Sequence, residues 1–182
     1  EPNIPRLVIN ELRSRSNGFL VDAVEIYNPT PAEVPIGGWW LSDQRDSPFS
    51  FQFPSEMVVP AKGYLVVDEL DFAAAGSNLA FNSGNERCYL FSGDSDGELT
   101  GYSNGFQFFG IDQNASFGRV ESSDGNDYLL TEKFPSFGTK NSGPVLPNLM
   151  ITEIMYHPGK GGFPYLELQN VTPEPIPLWD PD

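Results

Sequence analysis

The chain has 182 residues, is 39% hydrophobic, and carries 25 acidic against 10 basic side chains, for a formal charge of −15. Such a surface excludes nucleic acid as an expected partner, because binding it rests on neutralising phosphates. No run of 18 apolar residues exists to span a membrane as a helix. A domain of this size buries roughly two-thirds of its unfolded surface. Its high glycine (18) and proline (17) content, scattered through the chain, fits many short strands joined by turns.

Strand signals run from end to end: RLVINEL (6–12), FLVDAVEIY (19–27), GWWLSD (38–43), FSFQF (49–53), GYLVVDE (63–69), RCYLF (87–91), ELTGYS (98–103), FQFFGI (106–111), SFGRV (116–120) and NDYLL (126–130). The stretch LDFAAAG (70–76) is the one place where a single helical turn is expected. Turn residues separate the strands, as in NPTP (28–31), VPAKG (59–63) and GDSDG (93–97). An antiparallel sandwich or barrel is the architecture these elements predict. Cys88 is the sole cysteine, so no internal disulfide forms; within CYLF it is expected as a buried small hydrophobe.

A second pattern overlies the first. Leu7 and Leu149, Ile9 and Ile151, Glu11 and Glu153, Glu25 and Glu167, Asn28 and Asn170, Thr30 and Thr172, and Pro35 and Pro177 are identities 142 residues apart without a gap. That period suits a pair of whole domains better than a solenoid unit. The expected organisation is a complete domain over 1–143, a linker over 144–148 with Pro144 and Pro147, and the first strands of a truncated second copy over 149–182. Strands this few cannot bury a core, so residues 149–171 are expected to pair with domain one or with a second chain, exchange between two molecules being one route.

Candidate sites are sparse. Glu11 and Glu25 interrupt apolar strands, and paired carboxylates do acid and base work in glycoside hydrolysis. A half-buried strand glutamate more simply needs a cation or a backbone donor, and Arg119 is the expected partner of Glu25. Asp94, Asp96 and Glu98 alternate as in calcium loops, yet an Asp-Gly hairpin turn explains the same letters. Trp39, Trp40, Phe49, Phe51 and Phe53 form a potential sugar platform, although adjacent tryptophans on a strand face opposite ways, one of them into the core. His157, the sole histidine, lies in a loop without the partners that a metal site or a serine triad needs. Asn114-Ala-Ser and Asn170-Val-Thr fit the glycosylation pattern. No catalytic, metal-binding or cofactor-binding residue is assigned.

The opening LVINEL, then VEIYNPTPAEVPIGGWWLSD, FQFPSEMVVPAKGYLVVDE, FNSGNERCYLFSGDSDGELTGYS and NASFGRVESSDGNDYLLTEKFPSFGTKNSG together cover nearly all of residues 5–143. In content and order they resemble the lamin-tail domain, found at the end of nuclear lamins and in many bacterial secreted or surface proteins. ITEIMYHP followed by YLELQN resembles the start of the bacterial form, often found in tandem or beside enzymatic domains. The resemblance implies an immunoglobulin-like β-sandwich acting as a non-catalytic interaction or spacer module of a secreted or cell-surface protein, with protein partners. The chromatin and filament roles of nuclear lamins are not implied, given the charge and the lack of a coiled-coil rod in the chain. A carbohydrate- or calcium-binding module and a glycosidase using Glu11 and Glu25 are the alternatives.

Overall fold

Apolar residues alternating with polar ones give strands that bury one face, and two such sheets cover each other's apolar sides. The computed structural model describes residues 4–14, 21–82, 86–109 and 112–179. Contacts divide the chain into two compact units, Glu1–Pro144 and Val145–Asp182.

In the first unit the order is β1 (Val8–Arg13), β2 (Ala23–Tyr27), β3 (Val34–Pro35), β4 (Trp40–Ser42), β5 (Phe51–Gln52), β6 (Val58–Val59), β7 (Tyr64–Asp68), α1 (Glu69–Ala74), β8 (Glu86–Gly93), β9 (Leu99–Phe108), β10 (Phe117–Glu121) and β11 (Asp127–Thr131). One sheet runs β11-β10-β1-β2-β7 and another β5-β4-β8-β9, with β3 and β6 as a small separate pair. Every pairing among them is antiparallel. This is the all-β sandwich that the strand pattern predicts. Ile9, Leu12, Val24 and Ile26 from the first sheet share a core with Leu41, Phe51, Cys88 and Leu90 from the second. Each fully buried large apolar side chain contributes roughly 1.5–3 kcal/mol.

Hydrogen bonds also cross between the sheets. The Tyr102 hydroxyl donates to the Leu7 carbonyl at 2.7 Å, and the Ile9 N–H donates to Asn104 Oδ1 at 2.8 Å. Asn104 lies in a stretch that looks like a break between ELTGYS and FQFFGI, but residues 99–103 and 106–108 belong to the single strand β9, and residues 110–111 of the second signal lie outside the described residues. The reason is the partner strand. Tyr89 stands opposite Gly105, and a Cβ on Gly105 would come within 2.0 Å of the Tyr89 ring, so glycine is needed for space and not for a turn.

The one helical segment among the described residues, α1, begins with a capping box. Asp68 accepts from the Leu70 and Asp71 N–H groups at 2.8 and 3.2 Å, and Asp71 accepts from the Asp68 N–H at 3.0 Å, satisfying donors that a helix start leaves orphaned. Its Phe72 is buried against Phe51, with ring centroids 4.8 Å apart.

The turn after β2 is held by Asn28, which has no exposure. Its amide donates to the carbonyls of Ala32, Val59 and Pro60 at 2.7, 3.1 and 3.0 Å, and its Oδ1 accepts from the Thr30 N–H and hydroxyl.

In the second unit β12 (Leu149–Met155) and β13 (Tyr165–Asn170) pair antiparallel in a two-stranded sheet of their own. Within this unit residues 149–155 and 165–170 form a local hairpin. The Gly- and Pro-rich segment 157–164 returns the chain, and each strand satisfies the inner edge of the other.

Replacing the fully buried Asn28 by Ala removes its hydrogen bonds to three carbonyls, that of buried Val59 among them, and should cost roughly 2–4 kcal/mol of urea-measured stability. Asn170→Ala, at an exposed position, should change it by under about 0.5 kcal/mol.

Candidate functional site

The most unusual chemistry in the first unit lies on β1 and β2. The ladder sets Glu11 opposite Glu25 after an irregularity between Ile9 and Glu11, and both side chains are 0% exposed. Alternation puts them on the face away from Leu12 and Val24. Two bare carboxylates there would cost several kcal/mol each. Instead Glu11 accepts from the Ser116 hydroxyl at 2.5 Å and from the Ser136 N–H and hydroxyl, both at 2.9 Å. Glu25 accepts from the Asn10 amide at 2.7 Å and from the Gly138 N–H. The Asn10 amide also donates to Asn141 Oδ1 at 2.6 Å, and Asn141 in turn donates to the Arg119 carbonyl at 3.0 Å.

The segment 132–143 is therefore laid over the paired carboxylates. Its own start is fastened by Glu132, which accepts from the Ser142 hydroxyl at 2.5 Å and the Gly143 N–H at 2.9 Å. Gly118 on β10 leaves room for that side chain, since a Cβ there would sit 1.9 Å from Glu132 Oε1.

Two expectations fail here. Arg119 does not pair with Glu25: its guanidinium reaches Asp127 at 2.6 Å and Glu121 at 3.8 Å. In the β10–β11 ladder Arg119 stands opposite Leu129, beside Asp127, so the nearest anion is a neighbour on its own sheet edge. The glycosidase reading of Glu11 and Glu25 fails too, because that chemistry needs both carboxylates in an open cleft and these are sealed. Ser116, Ser136, Gly138 and Asn141 were not singled out by sequence pattern, and the letters PSFG carry no spacing that marks them as donors to a strand more than a hundred residues earlier.

The aromatic set divides. Trp39, Phe51 and Phe53 are in the core, as alternation requires for one tryptophan of the adjacent pair. Trp40 is half-buried, donates its indole N–H to the Gly97 carbonyl at 2.8 Å, and meets the exposed Phe49 edge-on with centroids 5.1 Å apart. A cleft of about 700 Å³ opens beside it, lined among others by Trp40, Gln52, Ser50, Ser55, Ser77 and Asp94.

Asp94, Asp96 and Glu98 belong to the turn between β8 and β9. Asp94 Oδ1 accepts from the N–H groups of Asp96 and Glu98, both at 3.0 Å, and Gly97 takes a positive φ of 81°. The Asp94 carboxylate thus closes the turn, and among the described residues no group of three or more His, Cys, Asp or Glu side chains is gathered to hold a metal. His157 is exposed, beside Tyr156. Cys88 is free and buried.

Burial pushes the Glu25 carboxyl up to about 7, opposed by the Gly138 N–H and the Asn10 amide and reinforced by the charge of Glu11. A raised carboxyl pKa means the folded state holds a proton that the unfolded chain releases. The contribution is fully present below the unfolded value of 4.5 and is lost as pH rises through about 7. Urea-measured stability should fall, on this group's account, by on the order of 3 kcal/mol between pH 5 and pH 8. In Glu25→Gln, whose amide oxygen keeps an acceptor for the Gly138 N–H, that pH dependence should flatten.

The family model described as Lamin Tail Domain matches residues 1–104, more than half of the chain, including the two glutamate strands, the Trp40 cleft and most of the second sheet. No curated protein and no solved structure gives a significant match.

Proposed function

We propose, for a chain that belongs to the lamin tail domain family, that the module works by non-covalent contact with another protein, as part of a larger secreted or cell-surface molecule. The family is an immunoglobulin-like interaction fold, and its match is the observation that carries this reading. The two carboxylates best suited to chemistry hold a loop in place instead. The net charge of −15 turns the module toward protein surfaces and away from phosphates. The extracellular placement draws its support from the resemblance to bacterial secreted members.

The contact surface we assign is the outer edge of the first sheet. β11 is an edge strand on which Tyr128 and Leu130 point the same way and are 49% and 41% exposed, beside a row of ladder groups without a neighbour. A carbohydrate-binding reading rests on the Trp40 cleft, where a half-exposed indole and hydroxyl and amide side chains meet.

Paired lysine substitutions, Tyr128→Lys with Leu130→Lys, should leave the fold within about 1 kcal/mol and weaken protein binding at least tenfold, read by photo-crosslinking from β11 on intact cells of the source. Equal crosslinking by the variant would reject the edge. A glycan array that shifts Trp40 fluorescence, while crosslinking yields no protein adduct, would favour the carbohydrate reading.

A further inference from the structure

The cleft beside Trp40 is built within the first unit from turns pressed backbone against backbone. Gly38 takes a φ of +85° and stands so close to the β8–β9 turn that a Cβ would lie 1.9 Å from the Asp94 carbonyl oxygen. A Cβ on Gly93 would lie 2.1 Å from the Gly38 oxygen, and one on Gly37 would lie 2.6 Å from the Ser55 oxygen. No side chain fits between these segments, so the floor of the cleft is set by the fold before any ligand arrives. Its volume of about 700 Å³ falls among small-molecule sites, which span about 300–1,000 Å³.

The polar groups of the cleft divide into those the fold uses and those it leaves. The Trp40 indole N–H is engaged by the Gly97 carbonyl at 2.8 Å, and its ring meets the exposed Phe49 edge-on. The indole therefore offers a ligand a held aromatic face and no donor. The Ser50 hydroxyl is engaged with that of Ser42 at 2.9 Å, and the Ser77 hydroxyl donates to the Ser50 carbonyl at 2.6 Å. Asp94 Oδ1 accepts from the Asp96 and Glu98 N–H groups, which leaves Oδ2 as an acceptor. The Gln52 amide and the Ser95 hydroxyl also line the cleft. Neither hydrogen-bonds a described residue, so each brings a donor and an acceptor. Among the described residues that line the cleft there is no Lys, Arg or His, and Asp94 is the single charged one.

We infer that this cleft binds a neutral oligosaccharide, with one sugar ring lying on Trp40 and its hydroxyls meeting Asp94, Ser95 and Gln52. The inference rests on the carbohydrate reading of the cleft given above, deepens it by naming the class of sugar, and does not depend on the β11 contact. A sugar ring has an apolar C–H face to pack on an aromatic ring, and hydroxyls that both donate and accept. An ionised sugar or a phosphate meets no cation there and faces a carboxylate on a chain of charge −15. A proline-rich peptide, which also docks in aromatic-lined grooves, is the poorer occupant. Proline has no N–H to give Asp94, and the indole N–H that could meet the peptide's carbonyls is already engaged.

The test titrates the full chain by calorimetry with neutral tetrasaccharides (cellotetraose, mannotetraose, maltotetraose and N-acetylated chitotetraose), with tetragalacturonic acid and with a decaproline peptide. The Trp40 indole N–H signal is followed by NMR. The expected result is saturable binding of at least one neutral sugar that moves this signal. Trp40→Ala should weaken it by about tenfold or more, and Gln52→Ala by roughly threefold to tenfold. Tyr128→Lys with Leu130→Lys should leave it unchanged. Gln52→Ala and Ser95→Ala, at partly exposed and exposed positions, decide the matter if Trp40→Ala unfolds. Binding of tetragalacturonic acid in place of the neutral sugars keeps the cleft a sugar site and overturns its neutral class. Binding of decaproline alone overturns the proposal in favour of a peptide groove. No binding by any probe at millimolar concentration overturns the carbohydrate reading itself. Sugar binding indifferent to all three cleft substitutions lies elsewhere on the chain and overturns the assignment.

Discussion

Two carboxylates stand side by side on neighbouring strands with no access to water, and their need for donors constrains the rest of the first unit. Glu11 and Glu25 cannot be placed on β1 and β2 unless hydroxyl and N–H groups arrive from elsewhere. Those groups come from Ser116 at the start of β10 and from Ser136 and Gly138 in the segment after β11. The last third of the unit is thereby tied to the first hairpin. β1 takes a central place in its sheet, flanked by β2 and β10, so the earliest strand is completed by one of the latest. A polar cluster of this sort rigidifies when every member is satisfied, and proton occupancy at Glu25 sets how strongly it holds.

The opposite face of the same hairpin follows different physics. There Leu12, Val24 and Ile26 are covered by the second sheet through non-directional burial, which alone would tolerate sliding. The bonds from Tyr102 to Leu7 and from Ile9 to Asn104 add direction and fix the two sheets against each other. The hairpin is thus clamped on both sides, by hydrogen-bonded acids outside and by apolar packing with two polar bridges inside. The aromatic residues sort themselves accordingly, Trp39 into the core and Trp40 to the rim of a cleft.

The second hairpin separates local from long-range causes. It has the register, the irregularity and the asparagine turn of the first, so those features arise from the hairpin's own residues. Burial does not follow with them. The glutamate that is 0% exposed at position 25 has an exposed counterpart at 167, because burial is supplied by what lies against the hairpin. Strand geometry is a local property, and solvation of its side chains belongs to the assembly.

The sequence by itself determined the strands, since alternation and turn chemistry act between residues a few positions apart, and with them the all-β class, the single helical turn near Phe72 and the opposed fates of Trp39 and Trp40. The family resemblance was also legible, because it rests on the order of such local segments, as was the 142-residue internal echo. The partner of Glu25 was not. Arg119 offered the right charge, but the bonds came from Asn10 and from Gly138, 113 residues away. The division of 98–111 into two strands was likewise undone by Tyr89 on the neighbouring strand. In each case only the tertiary structure decided, because a hydrogen bond or a steric contact depends on distances that the folded chain closes and that no spacing along the sequence records.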